Sequence, residues 1–197
     1  MINIAVLISG GGTNLQAIIN ACESGILAGK AHIRLVISSR SDAYGLERAH
    51  KHNIEAFCVS PREFSTREAY CQRMIDEITL RDIGLICLAG YMLKLEPNFV
   101  KAFPKRILNI HPALLPKHGG KGMYGHFVHE AVIEAGDHES GATVHWVDEE
   151  YDHGAIVIQE TVPVVPGDNA DILAARVLEV EHKIYPKAIL KVIESRV

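Results

Sequence analysis

The feature that most constrains this chain is its alternation of short apolar runs with segments of helical period. Ile2-Asn3-Ile4-Ala5-Val6-Leu7-Ile8 is nearly continuous in β-branched and aliphatic side chains, as a strand buried on both faces requires. A helix from Thr13, as its cap, to about Glu23 follows, with Leu15, Ile18, Ile19 and Cys22 on one face. Strands over His32–Ser38, Ala56–Val59, Ile83–Leu88 and Ile107–Ile110 then alternate with helices over Ala43–His52 and from Pro61 toward Leu80. Repeated β-α-β units demand a mainly parallel, Rossmann-like open α/β sheet with helices on both faces. Past residue 118 the pattern changes. A glycine-bearing loop, His118–Gly125, leads to a short helix over Val128–Glu134. Strands over Thr143–Val147 and Ala155–Val162, close enough to pair antiparallel, precede a long final helix, Ala170–Glu194. With 197 residues and no repeat or low-complexity linker, one compact domain is expected.

Composition excludes several classes. A net charge of −4 lacks the basic balance of a nonspecific nucleic-acid binder. No apolar run is long enough for a membrane span, and no basic segment precedes the first strand. Cys22, Cys58, Cys71 and Cys87 show no C-x-x-C pairing, which suits reduced thiols in a cytoplasmic protein. Histidine stands out: seven of the 11 lie between residues 111 and 153. No H-E-x-x-H or C-x-x-C accompanies them, so no metal is expected.

Candidate chemistry collects at strand ends. Ser9-Gly10-Gly11-Gly12-Thr13-Asn14 joins the first strand to the first helix and departs from both G-x-G-x-x-G and the Walker loop. It reads either as a phosphate cradle at a helix N-terminus or as a plain tight turn. In Leu108-Asn109-Ile110-His111-Pro112 an amide and an imidazole sit two positions apart where a strand stops. Extended backbone sends both to one side, and Pro112 ends the ladder. Open α/β sheets bind ligands outside the carboxyl ends of their strands. The acidic connection Asp148–Gly154 could bring a carboxylate to His111; spacing leaves Asp148 and Asp152 equally eligible.

Taken together, SGGGTNLQAI, LAGYM, NIHPALLP, GATVHWVDEEYDHG and EHKIYP resemble the phosphoribosylglycinamide formyltransferases, folate-dependent enzymes of purine biosynthesis, over essentially the whole chain. The resemblance implies one formyltransferase domain over 1–197, its N-terminal half binding nucleotide phosphate and its C-terminal half binding folate and carrying catalysis. The substrates implied are glycinamide ribonucleotide and 10-formyltetrahydrofolate, the latter a co-substrate, with no nucleic acid and no membrane partner; a homodimer is left open. It implies Asn109, His111 and Asp152 as the catalytic trio, so it decides between the two aspartates. It assigns the ribonucleotide to Gly12, Thr13, Asn14 and Glu181. It assigns the folate to Arg67, Met92, Leu93, Leu95 and Asn109. Leu93 follows Met92 where many relatives carry Arg, and Lys94 comes next. His126 receives no role. The implied chemistry is direct attack of an amine on a formyl carbon, with Asp152 keeping His111 charged. The alternative is a formyltetrahydrofolate hydrolase, whose members usually carry an additional N-terminal domain; here the first strand begins at residue 2.

Overall fold

The computed structural model describes residues 1–195. Its centre is one seven-stranded sheet of order β3-β2-β1-β4-β5-β6-β7. The parallel part is β1 (Ile2–Ile8), β2 (Ala31–Ser38), β3 (Ala56–Cys58), β4 (Leu85–Leu88) and β5 (Ile107–His111). Two antiparallel strands, β6 (Glu139–Trp146) and β7 (Ile156–Pro163), complete it beyond β5. Helices are α1 (Thr13–Ser24), α2 (Tyr44–Lys51), α3 (Arg67–Thr79), α4 (Pro97–Ala102), α5 (His126–Glu134) and α6 (Ala170–Glu194). Among the described residues no helix is long and apolar enough to cross a membrane.

Strand alternation decides which side each residue serves. Ile4, Val6 and Ile8 join Leu15, Ile18 and Ile19 of α1 and Val177, Ile184 and Ala188 of α6 in one buried layer. Ala5 and Leu7 enter the opposite layer with Tyr70, Met74 and Ile78 of α3 and Phe99 of α4. The doubly covered sheet thus matches the expectation from its apolar runs.

Four local expectations need correction. Thr13 is not a cap: Gly12 holds that position with φ 70° and no side-chain cap bond. The helix expected from Pro61 is broken. A 3-10 turn at Pro61–Glu63 is capped by Ser60, and α3 begins afresh where Thr66 Oγ1 accepts the Ala69 N–H at 3.1 Å. The small caps win locally because they satisfy free N–H groups at each start. Helix α4 went unread, being too short to show a helical period. Strand β6 starts four residues earlier than its apolar residues suggest, because Glu139 pairs with Pro163.

Tyr185 ties the layers together beneath the sheet's carboxyl edge. Fully buried on α6, it shares its hydroxyl between the carbonyls of Leu88 at 2.9 Å, the last residue of β4, and Leu108 at 3.1 Å, in the adjacent β5. Tyr185→Phe leaves both carbonyls without that donor. Urea unfolding should show a loss of about 1–3 kcal/mol.

Candidate active site

Strand β5 delivers the first two site residues. Asn109 lies opposite His145 of β6 and His111 opposite Thr143, and Pro112 ends the strand after His111. Both side chains border a cleft of about 740 Å³ at the carboxyl end of the sheet, which Asp152 also lines. His111 Nδ1 is 3.5 Å from Asp152 Oδ2, and Asn109 Nδ2 is 3.4 Å from Asp152 Oδ1. Asp148 instead caps its own turn, accepting from Glu150 N–H at 2.9 Å and meeting His153. Geometry therefore separates the aspartates that spacing alone could not.

The D-x-G pattern has a steric cause. A Cβ on Gly154 would lie 1.8 Å from the Trp146 carbonyl oxygen, so only glycine lets the chain turn back against β6 there. This close return brings Asp152, with φ 52°, over the end of β5. Asp152 is fastened further by the Gly120 N–H at 3.0 Å.

The hydrogen-bond pattern fixes tautomers. His111 Nε2 lies 2.8 Å from the His118 carbonyl, an acceptor only, so Nε2 carries a proton and Nδ1 is the atom turned toward Asp152. His145 Nδ1 likewise donates to the Trp146 carbonyl at 2.8 Å, leaving its Nε2 to accept from Asn109 Nδ2 at 3.1 Å. Both amide hydrogens of Asn109 are thus directed at His145 and Asp152. His145 is a site residue that sequence reading missed. Its signal was its register opposite Asn109, which only the antiparallel pairing reveals.

Electrostatics corrects one expectation. Burial pulls the His111 pKa below its ordinary value, and Asp152 opposes this without cancelling it. The imidazole is therefore not held permanently charged in the free protein. Burial would raise Asp152, but the neighbouring His145 and His111, when protonated, and the Gly120 N–H outweigh it and keep the carboxyl low.

Met92, Leu93 and Leu95 line the same cleft, together with Leu88 and Val147. Arg67 does not. Its Nη2 donates to the Lys94 carbonyl at 2.9 Å, bracing the segment that forms the cleft wall. Lys94 Nζ sits 5.1 Å over the Tyr151 ring, joining that wall to the turn that carries Asp152. His126 stands half-exposed at the start of α5, beside Glu130 and Asp171.

The far end of the cleft reaches Asn14 and Glu181. Asn14 Nδ2 donates to Glu181 Oε2 at 2.6 Å, and its buried Oδ1 has no partner. Gly12 and Thr13 do not border this cleft. Gly12 packs so closely on α2 that a Cβ would lie 2.7 Å from Gly45 Cα. Thr13 faces a smaller cavity of about 410 Å³ with Gln16, Asn20, Arg48 and His182. Arg48 Nε donates to the Gly11 carbonyl at 2.8 Å, and His182 Nε2 is buried without a partner. Arg48 and His182 were not singled out by sequence, since neither lies in the glycine turn itself. Among the described residues no group of His, Cys, Asp and Glu is arranged to hold a metal ion.

Comparison with known proteins shows the family. A family model described as formyl transferase matches residues 2–189. The chain belongs to the formyl transferase family. Among its relatives, phosphoribosylglycinamide formyltransferase of Haemophilus influenzae is 46% identical over 196 residues, covering 100% of this chain and 89% of that protein. The Escherichia coli K12 enzyme of the same name is 44% identical over 187 residues, covering 95% of this chain and 85% of its own length. The crystal structure of glycinamide ribonucleotide transformylase 1 from Symbiobacterium toebii superposes with a TM-score of 0.94 at 42% identity, covering 100% of this chain and 89% of that one. This formyl transferase therefore shares its whole sheet and helix arrangement with solved relatives.

Glu181 supplies a pH test. Burial raises its carboxyl to about 7, opposed by the Asn14 amide. A raised carboxyl disfavours the folded state once it ionises. The penalty is absent below the unfolded pKa near 4.5, grows as pH rises toward 7, and is then constant. Glu181→Gln removes it. The stability gain of that variant over wild type, from urea unfolding, should be near zero at pH 4 and reach at most about 3 kcal/mol at pH 8.

Proposed function

We propose that the chain transfers the formyl group of 10-formyltetrahydrofolate to the amine of glycinamide ribonucleotide, a step of de novo purine biosynthesis leading to IMP, in the cytoplasm. The observation that carries this reading is a single cleft running from Asn14 and Glu181 to Asn109, His111 and Asp152. Two substrates bound at its two ends would meet at the imidazole. Relatives above 40% identity over most of this chain bear the names of enzymes for that transfer.

The fit of a folate rests on the cleft's chemistry. Leu88, Met92, Leu93, Leu95 and Val147 offer an apolar slot beside the polar cluster, in the size range of small-molecule sites. Arg67 acts on the folate indirectly, by holding the Lys94 carbonyl. Past the other end, on the side of the smaller cavity that Thr13 faces, the N-terminus of α1 has no side-chain cap, so the N–H groups of Thr13 and Asn14 suit a phosphate. Arg48 adds positive charge nearby. Glu181 and the unpartnered Asn14 Oδ1 accept hydrogen bonds from the glycinamide ribonucleotide.

In the transfer, the amine nitrogen bonds to the formyl carbon, and the carbonyl oxygen becomes an oxyanion. Asn109 can hand it an amide hydrogen, giving up the longer contact to Asp152. His111 lies on the neutral side in the free protein, so the growing negative charge itself favours uptake of a proton from water at Nδ1, where Asp152 supports the cation, and the proton returns to water when the oxyanion collapses. Each donor is worth roughly 2–4 kcal/mol in comparable oxyanion sites. Asp152, ionised and facing the cleft, relays the proton lost by the amine to the leaving folate nitrogen through water. The carbon–nitrogen bond to the folate then breaks. No residue is acylated.

Tetrahydrofolate release from 10-formyltetrahydrofolate should require glycinamide ribonucleotide. Release without the amine would point to a hydrolase instead. His111→Ala and Asp152→Asn should each lower kcat at least about 100-fold, whereas Asp148→Asn should stay within about threefold. Near wild-type turnover of Asp152→Asn would overturn the assignment.

A further inference from the structure

The ring of His111 is not held by Asp152 alone. Its other nitrogen meets the His118 carbonyl at 2.8 Å, while the Gly120 N–H reaches Asp152 at 3.0 Å. One short stretch of backbone thus touches both members of the pair. His118 takes φ 53° there, a left-handed conformation uncommon for a non-glycine residue. Its side chain is held from a position distant in sequence. Asp137, between α5 and β6, places Oδ2 2.7 Å from His118 Nε2 and Oδ1 2.5 Å from Lys117 Nζ. Its carboxylate is mostly covered, with 12% of the side chain exposed, and so is the His118 side chain at 14%.

We infer that Asp137 is a positioning residue for His111. By gripping His118 and Lys117 it fixes the turn at 118–120, whose carbonyl claims the Nε2 proton of His111 and whose N–H fastens Asp152. The inference rests on reading His111 and Asp152 as the reacting pair. With Nε2–H committed to a carbonyl, Nδ1 is the only nitrogen that can gain or lose a proton at the cleft. Released from that carbonyl, a neutral ring could instead donate Nδ1–H to Asp152. It would then sit comfortably uncharged, and the imidazolium would lose its advantage.

The surrounding charges agree with this role. Facing His111 are Asp152 from the β6–β7 turn, His145 from β6, His118 from the turn itself and His129 from α5. The His118 carbonyl and Asp152 favour the charged ring, while burial and the neighbouring histidines disfavour it. Lys117 and His118 hold the Asp137 carboxyl below its ordinary value, so the carboxylate that grips them stays ionised near neutral pH.

Asp137→Asn and His118→Asn each cut the clamp, the second keeping a residue that tolerates positive φ. Nitrogen-15 NMR of labelled histidines should show the wild-type His111 as the Nε2–H tautomer and both variants as tautomer mixtures. In the formyl-transfer assay, the descending limb of kcat against pH should move down by about one unit in both variants, a roughly tenfold loss above it. KM for each substrate should stay within about twofold, because the clamp touches neither substrate. The double variant should lose no more than either single one, and Asp137→Glu should restore most of the limb. A His111 that keeps its tautomer and its pH limb in both variants would overturn the proposal, as would a uniform fall in kcat without a shift. Mixed tautomers in variants of a protein that shows no formyl transfer at any pH would uphold the clamp and remove the catalytic reading instead.

Discussion

Everything at the cleft depends on the 3.5 Å approach of His111 Nδ1 to Asp152 Oδ2. Two ionisable groups almost out of water, with side chains 4% and 11% exposed, are costly to bring together. Once the imidazole is protonated, Coulomb attraction at this separation is worth about 5 kcal/mol at an effective dielectric near 20, comparable to the desolvation that opposes it. The balance keeps the Asp152 carboxyl low and pulls the His111 imidazole toward its neutral form. A group so poised takes a proton when negative charge appears beside it and gives the proton up when that charge leaves.

The backbone secures the approach by three separate devices. β5 outruns its parallel neighbour: β4 stops pairing at Asn109, while β6 alone holds Ile110 and His111. The hairpin after β6 returns so tightly that Gly154 touches the Trp146 carbonyl. The turn at 118–120 closes the third side. Tyr185 beneath, bonded to the carbonyls of Leu88 and Leu108, anchors the edge from which the site projects.

Much of this was legible in the sequence. Apolar runs of strand length fixed the sheet class, and Asn-x-His before proline located the cleft, because a period of two and a ladder-stopping residue are local properties. The acidic turn was visible but its choice of aspartate was not: Asp148 and Asp152 differ in how the chain folds back, and that depends on a contact between Gly154 and β6. His145 was hidden for the same reason, lying in an alternating strand with nothing to mark it except its partner across the ladder. The resemblance points to Asp152, the aspartate that the fold brings to His111, and to Arg67, which braces the cleft wall through the Lys94 carbonyl. The broken helix near residues 61–66 escaped notice because capping by Ser60 and Thr66 competes with a helical apolar pattern that continues through them.

Titrating His111 by nitrogen-15 NMR in wild type and in Asp152→Asn tests the central contact most directly. If Asp152 supports the cation, removing its charge should lower the His111 pKa further, by about 1–2 units. A His111 pKa that is unchanged or raised in Asp152→Asn would contradict the account.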